Sequence, residues 1–124
     1  MDYKELMCGD WVKVDQTTET VNAKVLGVYK DGINYEVDYS GVRATNQIHT
    51  DYVSPIELTE DILVKNGWRK EPITIDGDYA NWHGEIPISQ AEDEYNYADI
   101  ELRYAHQLQH LLRLCGIEKE LVID

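Results

Sequence analysis

Arg103, His106, Gln107 and His110 crowd one short stretch near the end of the chain, and Trp82-His83 precede them by about twenty residues. These side-chain types suit the recognition of a small anion. A guanidinium grips a phosphate or carboxylate through two parallel hydrogen bonds, glutamine and histidine offer directional donors to a base or sugar edge, and an indole stacks on a flat ring. The expected ligand-binding set is therefore Trp82, His83, Arg103, His106, Gln107 and His110. The plainer reading of the same face is a solvated surface, or one that pairs with an acidic loop or a second subunit.

Other chemistries find less support. His106 and His110 are four apart, which places two imidazoles on one helical face. A zinc site needs a third ligand, and no glutamate stands between them as a His-Glu-x-x-His metalloprotease requires. Cys115 sits among leucines with no histidine on its own face, so it lacks an activating base and reads as a small core residue. No serine lies in a Gly-x-Ser-x-Gly elbow, and the glycines form no phosphate loop. Asp76 with Asp78, and Glu92, Asp93 and Glu94, fall short of a calcium loop and read as solvated turns. The chain is accordingly expected to be non-enzymatic, with no metal and no cofactor.

The elements that position these residues are legible from periodicity. Tyr104, Leu108, Leu111, Leu112 and Cys115 form an apolar stripe at about 100° per residue, with Arg103, His106, His110 and Arg113 opposite, so an amphipathic helix runs from about Ile100–Leu102 to Cys115. Gly116 ends it. Upstream, Trp11 to Val14, Asn22 to Asp31, Ile33 to Tyr39, Val42 to His49 and Tyr52 to Leu58 alternate as short strands, with turns at Asp31-Gly32 and Ser40-Gly41 and with Pro55 confined to an edge. Thr59 caps a short helix that Asn66-Gly67 closes. Glu71 to Ile75, Tyr79 to Trp82 and Glu85 to Ile88 follow as a meander, residues 90–99 as a surface loop, and Glu120 to Ile123 as a last edge strand. The fold class is α+β: a small bent antiparallel β-barrel of the SH3-like kind over residues 1–58, then the helix, meander and C-terminal amphipathic helix of residues 59–124. The two parts are expected to form one cooperative unit.

Composition narrows the partners. The 24 acidic and 11 basic residues give a formal charge of −13 over 124 residues, which repels a phosphate backbone and argues against long nucleic acids. No segment approaches the roughly 20 apolar residues of a membrane span, and the acidic N-terminus lacks a signal-peptide pattern. Two cysteines near opposite ends suit reduced thiols in a cytoplasm. Nine tyrosines and three tryptophans without a phenylalanine favour half-exposed aromatic contact surfaces. The same charge admits a second role, an acidic interaction protein that blocks a host protein by surface contact or nucleic-acid mimicry.

Three motifs carry a resemblance: Gly9-Asp10-Trp11-Val12, then Pro55-Ile56-Glu57-Leu58-Thr59-Glu60, and Tyr104-Ala105-His106-Gln107-Leu108-Gln109 in the final helix. Together they resemble a large family of small uncharacterised proteins of gut bacteria and their phages, from whose pattern Ala105 departs, valine being usual there. The resemblance implies no activity. It implies a phage-type accessory or counter-defence role, and with the polar helix face it suggests sequestration of a small anionic ligand, such as a cyclic or ADP-ribose-type nucleotide signal, by a homo-oligomer in the bacterial cytoplasm.

Overall fold

The structure, a computed structural model, describes residues 1, 3–75 and 78–123. It is mixed α+β, built from two antiparallel five-stranded sheets and two α-helices, and it divides into two compact units, Met1–Ile56 and Glu57–Ile123. Among the described residues no helix is long and apolar enough to cross a membrane.

The first unit holds β1 (Trp11–Asp15), β2 (Thr20–Tyr29), β3 (Gly32–Tyr39), β4 (Val42–His49) and β5 (Val53–Pro55). Alternation builds its core: Val12 and Val14 of β1, Ala23 and Val25 of β2, and Ile33, Tyr35 and Val37 of β3 all point to one buried face. Tyr39, the fourth residue of that face, lies at the sheet's end and is exposed. Gly9 sits at φ +90°, and the buried Asp10 accepts the Met7 amide through its carboxylate at 2.8 Å. The Gly-Asp pair thus aims the chain into β1. Ser40 and Gly41 both take positive φ, as a type I′ turn demands. The first hairpin is displaced by one residue from its expected register. Tyr29 pairs with Gly32, so Lys30 and Asp31 form the turn, and Asp31 takes the positive φ assigned to it by its tolerance of left-handed backbone. A bulge at Leu26 interrupts the ladder between Val25 and Gly27.

The strands of this unit run in the order β4-β3-β2-β1-β5. The two end strands are β4 and β5, so the sheet is open and the SH3-like closure is not made. The reason is local: β5 is three residues long and ends on Pro55, which has no N–H to donate, whereas β4 is eight residues long.

The second unit begins with α1 (Glu60–Lys65). Thr59 Oγ1 accepts the Ile62 amide at 3.3 Å, and Gly67 at φ +94° follows the Asn66 cap. A meander follows, of β6 (Arg69–Pro72), β7 (Tyr79–His83), β8 (Ile88–Ala91), β9 (Glu94–Tyr97) and β10 (Ile100–Glu101), in the order β10-β9-β8-β7-β6. Two strands therefore lie where a surface loop was expected over residues 90–99, because Gln90 and Tyr95 alternate inward and Glu92 adopts the positive φ of a tight turn. The Asp76-Gly77-Asp78 turn falls partly outside the described residues. Ile100 to Leu102 belong to β10 and its exit, and α2 spans Ala105–Leu114. Residues 120–123 form no strand. Side chains hold them instead: Asn66 bonds both the N–H and the C=O of Val122, at 2.7 and 2.8 Å, and Gln109 accepts the Leu121 amide at 2.8 Å.

Trp68 and Trp82 are the largest buried side chains of this unit, and Trp68 donates its indole N–H to the Ile86 carbonyl at 2.9 Å. A Cβ on Gly84 would fall 2.5 Å from that indole, so only glycine fits there.

Candidate functional site

α2 does not present the face that its periodicity implies. Ala105, His106, Leu108, Gln109, Leu111 and Leu112 are buried, while Cys115, placed on the core stripe from sequence, is exposed at the helix end. The buried arc is wider than the apolar stripe, and Cys115 lies on its line but one residue past the end of the helix. Its cause is the returning C-terminal segment, whose Lys119 carbonyl accepts from Gln109 Nε2 at 2.7 Å and whose Leu121 amide donates to Gln109 Oε1. A helix covered on two sides buries polar residues that a one-sided reading leaves in solvent.

The six predicted site residues accordingly take separate positions. Trp82 is buried, and its indole N–H donates to Gln90 Oε1 at 2.8 Å, so it is a core residue rather than a stacking platform. His83 is exposed on β7 and bonded to Glu71 at 2.6 Å. Gln107 Oε1 accepts the Arg103 and Tyr104 amides, at 2.8 and 3.0 Å, which makes it the clasp over the start of α2. His106 is buried, parallel to Tyr104 at 5.8 Å and edge-on to His110 at 5.6 Å. Arg103 is exposed and lines a small recess of about 260 Å³ together with Glu57, Asp93, Glu94 and Glu101. Four acids to one guanidinium repel an anion. The structure thus groups His106 and His110, and clasps Arg103 with Gln107, while Trp82 and His83 are engaged elsewhere.

The first unit carries a groove of about 830 Å³ to which no motif in the sequence pointed. Its floor is the β3 and β4 end of the sheet, and one wall is the β1–β2 turn, closed by Gln16 N–H donating to the Glu19 carbonyl at 2.9 Å. Gln16 also bridges two phenols: its Nε2 donates to the Tyr35 hydroxyl at 3.0 Å, and its Oε1 accepts from the Tyr39 hydroxyl at 3.1 Å. Tyr52, 56% exposed, stands on the opposite side beside β5. Thr17, Thr18, Thr45 and Asn46 add hydroxyls and an amide, and Asp15 is the one charged residue of the lining. The chemistry of the groove is that of a fixed amide and phenol array with donors and acceptors and no cation. The only trace of it in the sequence is the recurrence of Tyr35 and Tyr39 on one strand face and the polar run Thr45-Asn46-Gln47.

The perturbed titrations belong to the second unit. Burial, aided by the charges of Glu60 and Asp93, pushes the Tyr95 phenol up to about 12. Lys70 at 2.7 Å holds Glu60 below the usual carboxylate range, and Lys119 does the same for Glu85 at 2.5 Å. Glu60 and Glu85 are engaged in structural pairs, and no cluster of three His, Cys, Asp or Glu side chains suited to a metal ion occurs among the described residues.

The fold and groove together define a small two-unit α+β protein with a concave, tyrosine-bearing surface that carries one carboxylate and no cation. No protein-family model, curated protein or solved structure matches the chain.

Proposed function

We propose that this is a non-enzymatic binding protein whose ligand lies in the groove of the first unit, against Gln16, Asn46, Tyr39 and Tyr52. One observation carries the reading: about 830 Å³ of open, preformed concavity, within the range of small-molecule sites, lined by amides and hydroxyls. The lining holds no nucleophile paired with a base, which favours binding over catalysis.

The groove also bears on ligand class. An anionic nucleotide, the ligand expected from the polar face of α2, would find Asp15 and no cation, and the recess at Arg103 is more acidic still. The geometry favours an uncharged or cationic polar molecule with a flat portion to lie on Tyr52. A counter-defence role by sequestration remains part of the proposal only for a signal of that chemistry.

Calorimetric titration against a panel of uncharged amides, aromatic amines and cyclic or ADP-ribose-type nucleotides tests the assignment. A ligand whose binding is lost in Gln16→Ala and Tyr52→Ala is the expected result. Nucleotide binding lost in Arg103→Ala or His106→Ala, with Gln16→Ala silent, would return the site to the helix.

A further inference from the structure

The outer edge of β4 has the features of a pairing surface. In a two-residue hairpin the residues flanking the loop exchange both of their hydrogen bonds, so Tyr39 and Val42 form such a pair. Counting along the ladder, Val42, Ala44, Asn46 and Ile48 bond inward to β3. Arg43, Thr45 and Gln47 turn their N–H and C=O groups outward. All of β4 except Ile48 is exposed, and it has no proline or bulge, the usual protections of an edge of this length. The Gln47 amide donates at 2.8 Å to the Asn46 side chain, which covers one outward donor and leaves the edge at Arg43 and Thr45 open.

We propose that this edge pairs with the same edge of a second copy of the chain, antiparallel, about a two-fold axis through Thr45. The register follows from the sequence of the strand. With Thr45 on the axis, Arg43 lies opposite the partner's Gln47, Ala44 opposite the partner's Asn46, and Val42 opposite the partner's Ile48. Both ends of the pairing then match apolar with apolar, and Val42, 67% exposed in one chain, gains a cover. No acid lies on either strand, and Arg43, already 3.6 Å from Glu36 on the face away from the groove, meets an uncharged amide. Neither alternative centre does as well: an axis through Arg43 sets the two guanidinium groups against each other, and one through Gln47 sets His49 against Thr45 and removes the apolar match.

Pairing has a consequence for the groove. Residues directly opposite in an antiparallel ladder share a face, so Ala44 and Asn46 of both copies line one continuous trough across the axis. The contact is a single strand pair with little buried area, which places it among weak, concentration-dependent interfaces. Each copy carries −13, so screening strengthens the contact.

Sedimentation velocity on the full chain, from micromolar to near-millimolar concentration at low salt and at about 1 M salt, where the Debye length is about 3 Å, tests this directly. The expected result is a shift from 14.4 kDa towards twice that mass, larger at high salt. Val42→Lys and Thr45→Pro should each weaken the dimer at least about tenfold, and the Thr45 amide of the native chain should exchange more slowly as dimer accumulates. Thr45→Pro removes only an outward N–H, and Val42→Lys alters an exposed side chain, so unchanged circular dichroism accompanies the loss. A native chain that stays monomeric at high salt overturns the proposal. So does a dimer that survives both variants or leaves the Thr45 amide unprotected. The readout is mass and requires no ligand, so its failure is distinguishable from failure of the groove assignment.

Discussion

Both units carry a five-stranded antiparallel sheet, and they treat its edges in opposite ways. In the second unit one edge, β10, is two residues long, and the other, β6, is Arg-Lys-Glu-Pro, three charges and a proline. Both are features that keep an edge from pairing. In the first unit β5 is short and ends on Pro55, but β4 extends eight residues with one charge. The second unit is instead closed by side chains: Asn66 and Gln109 bond the C-terminal segment, and Lys119 reaches Glu85, the Asn66 carbonyl and the face of Trp68 at 4.9 Å. Edge protection and side-chain closure seal the second unit, whereas the first leaves the long β4 edge exposed beside its groove.

Substitutions that break the seal should have the largest effect. Gly84→Val drives a side chain into the Trp68 indole and should cost the second unit about 3 kcal/mol or more, read as a fall in its unfolding midpoint in denaturant. Gln109→Leu leaves the Lys119 carbonyl and Leu121 amide without their partner and should cost about 1–3 kcal/mol, with fast exchange at the Leu121 amide as the local sign. If exchange there stays slow, the segment is held by something other than Gln109. Gly41→Ala tests the first unit: at φ +92° with open space around it, a methyl group should cost only the left-handed backbone penalty of about 1 kcal/mol.

Titration separates the units more gently. The Tyr95 phenol is raised from 10.0 to about 12, so the folded state holds its proton longer than the unfolded chain does. Its contribution is complete below pH 10 and is lost as the pH rises towards 12. Ultraviolet titration should show one late phenol, and Tyr95→Phe should remove it. Glu60 and Glu85 act with the opposite sign: their lowered values contribute stability at neutral pH that fades as the solution is acidified through the carboxylate range. Both are largely solvated, so this acid effect should be the smallest, and added salt should reduce it further.

Local pattern determined much of the molecule. The Ser40-Gly41 turn, the Thr59 cap, the inward faces of β1 to β3 and the stops at Gly67 and Gly116 each depend on a few neighbouring residues and follow from φ preference, capping and a period of two. The three short motifs of the sequence also belong to this class. Gly9-Asp10 turns the chain into β1, Ile56 and Leu58 are buried before the Thr59 cap, and Gln107 clasps the start of α2. What periodicity could not supply was the set of contacts between distant residues. Gln109 is polar, and the return of the C-terminal segment gives its buried amide both a donor and an acceptor partner. Cys115 is apolar, yet it lies one residue past the helix that would have carried it inward. Trp82 and Gln107 have the chemistry of a binding site, and their partners Gln90 and the Arg103 amide commit them to structure. The groove brings together Asp15 to Thr18, Tyr35, Ala44 to Ile48 and Tyr52, segments far apart in the chain, so no single window of sequence contains it.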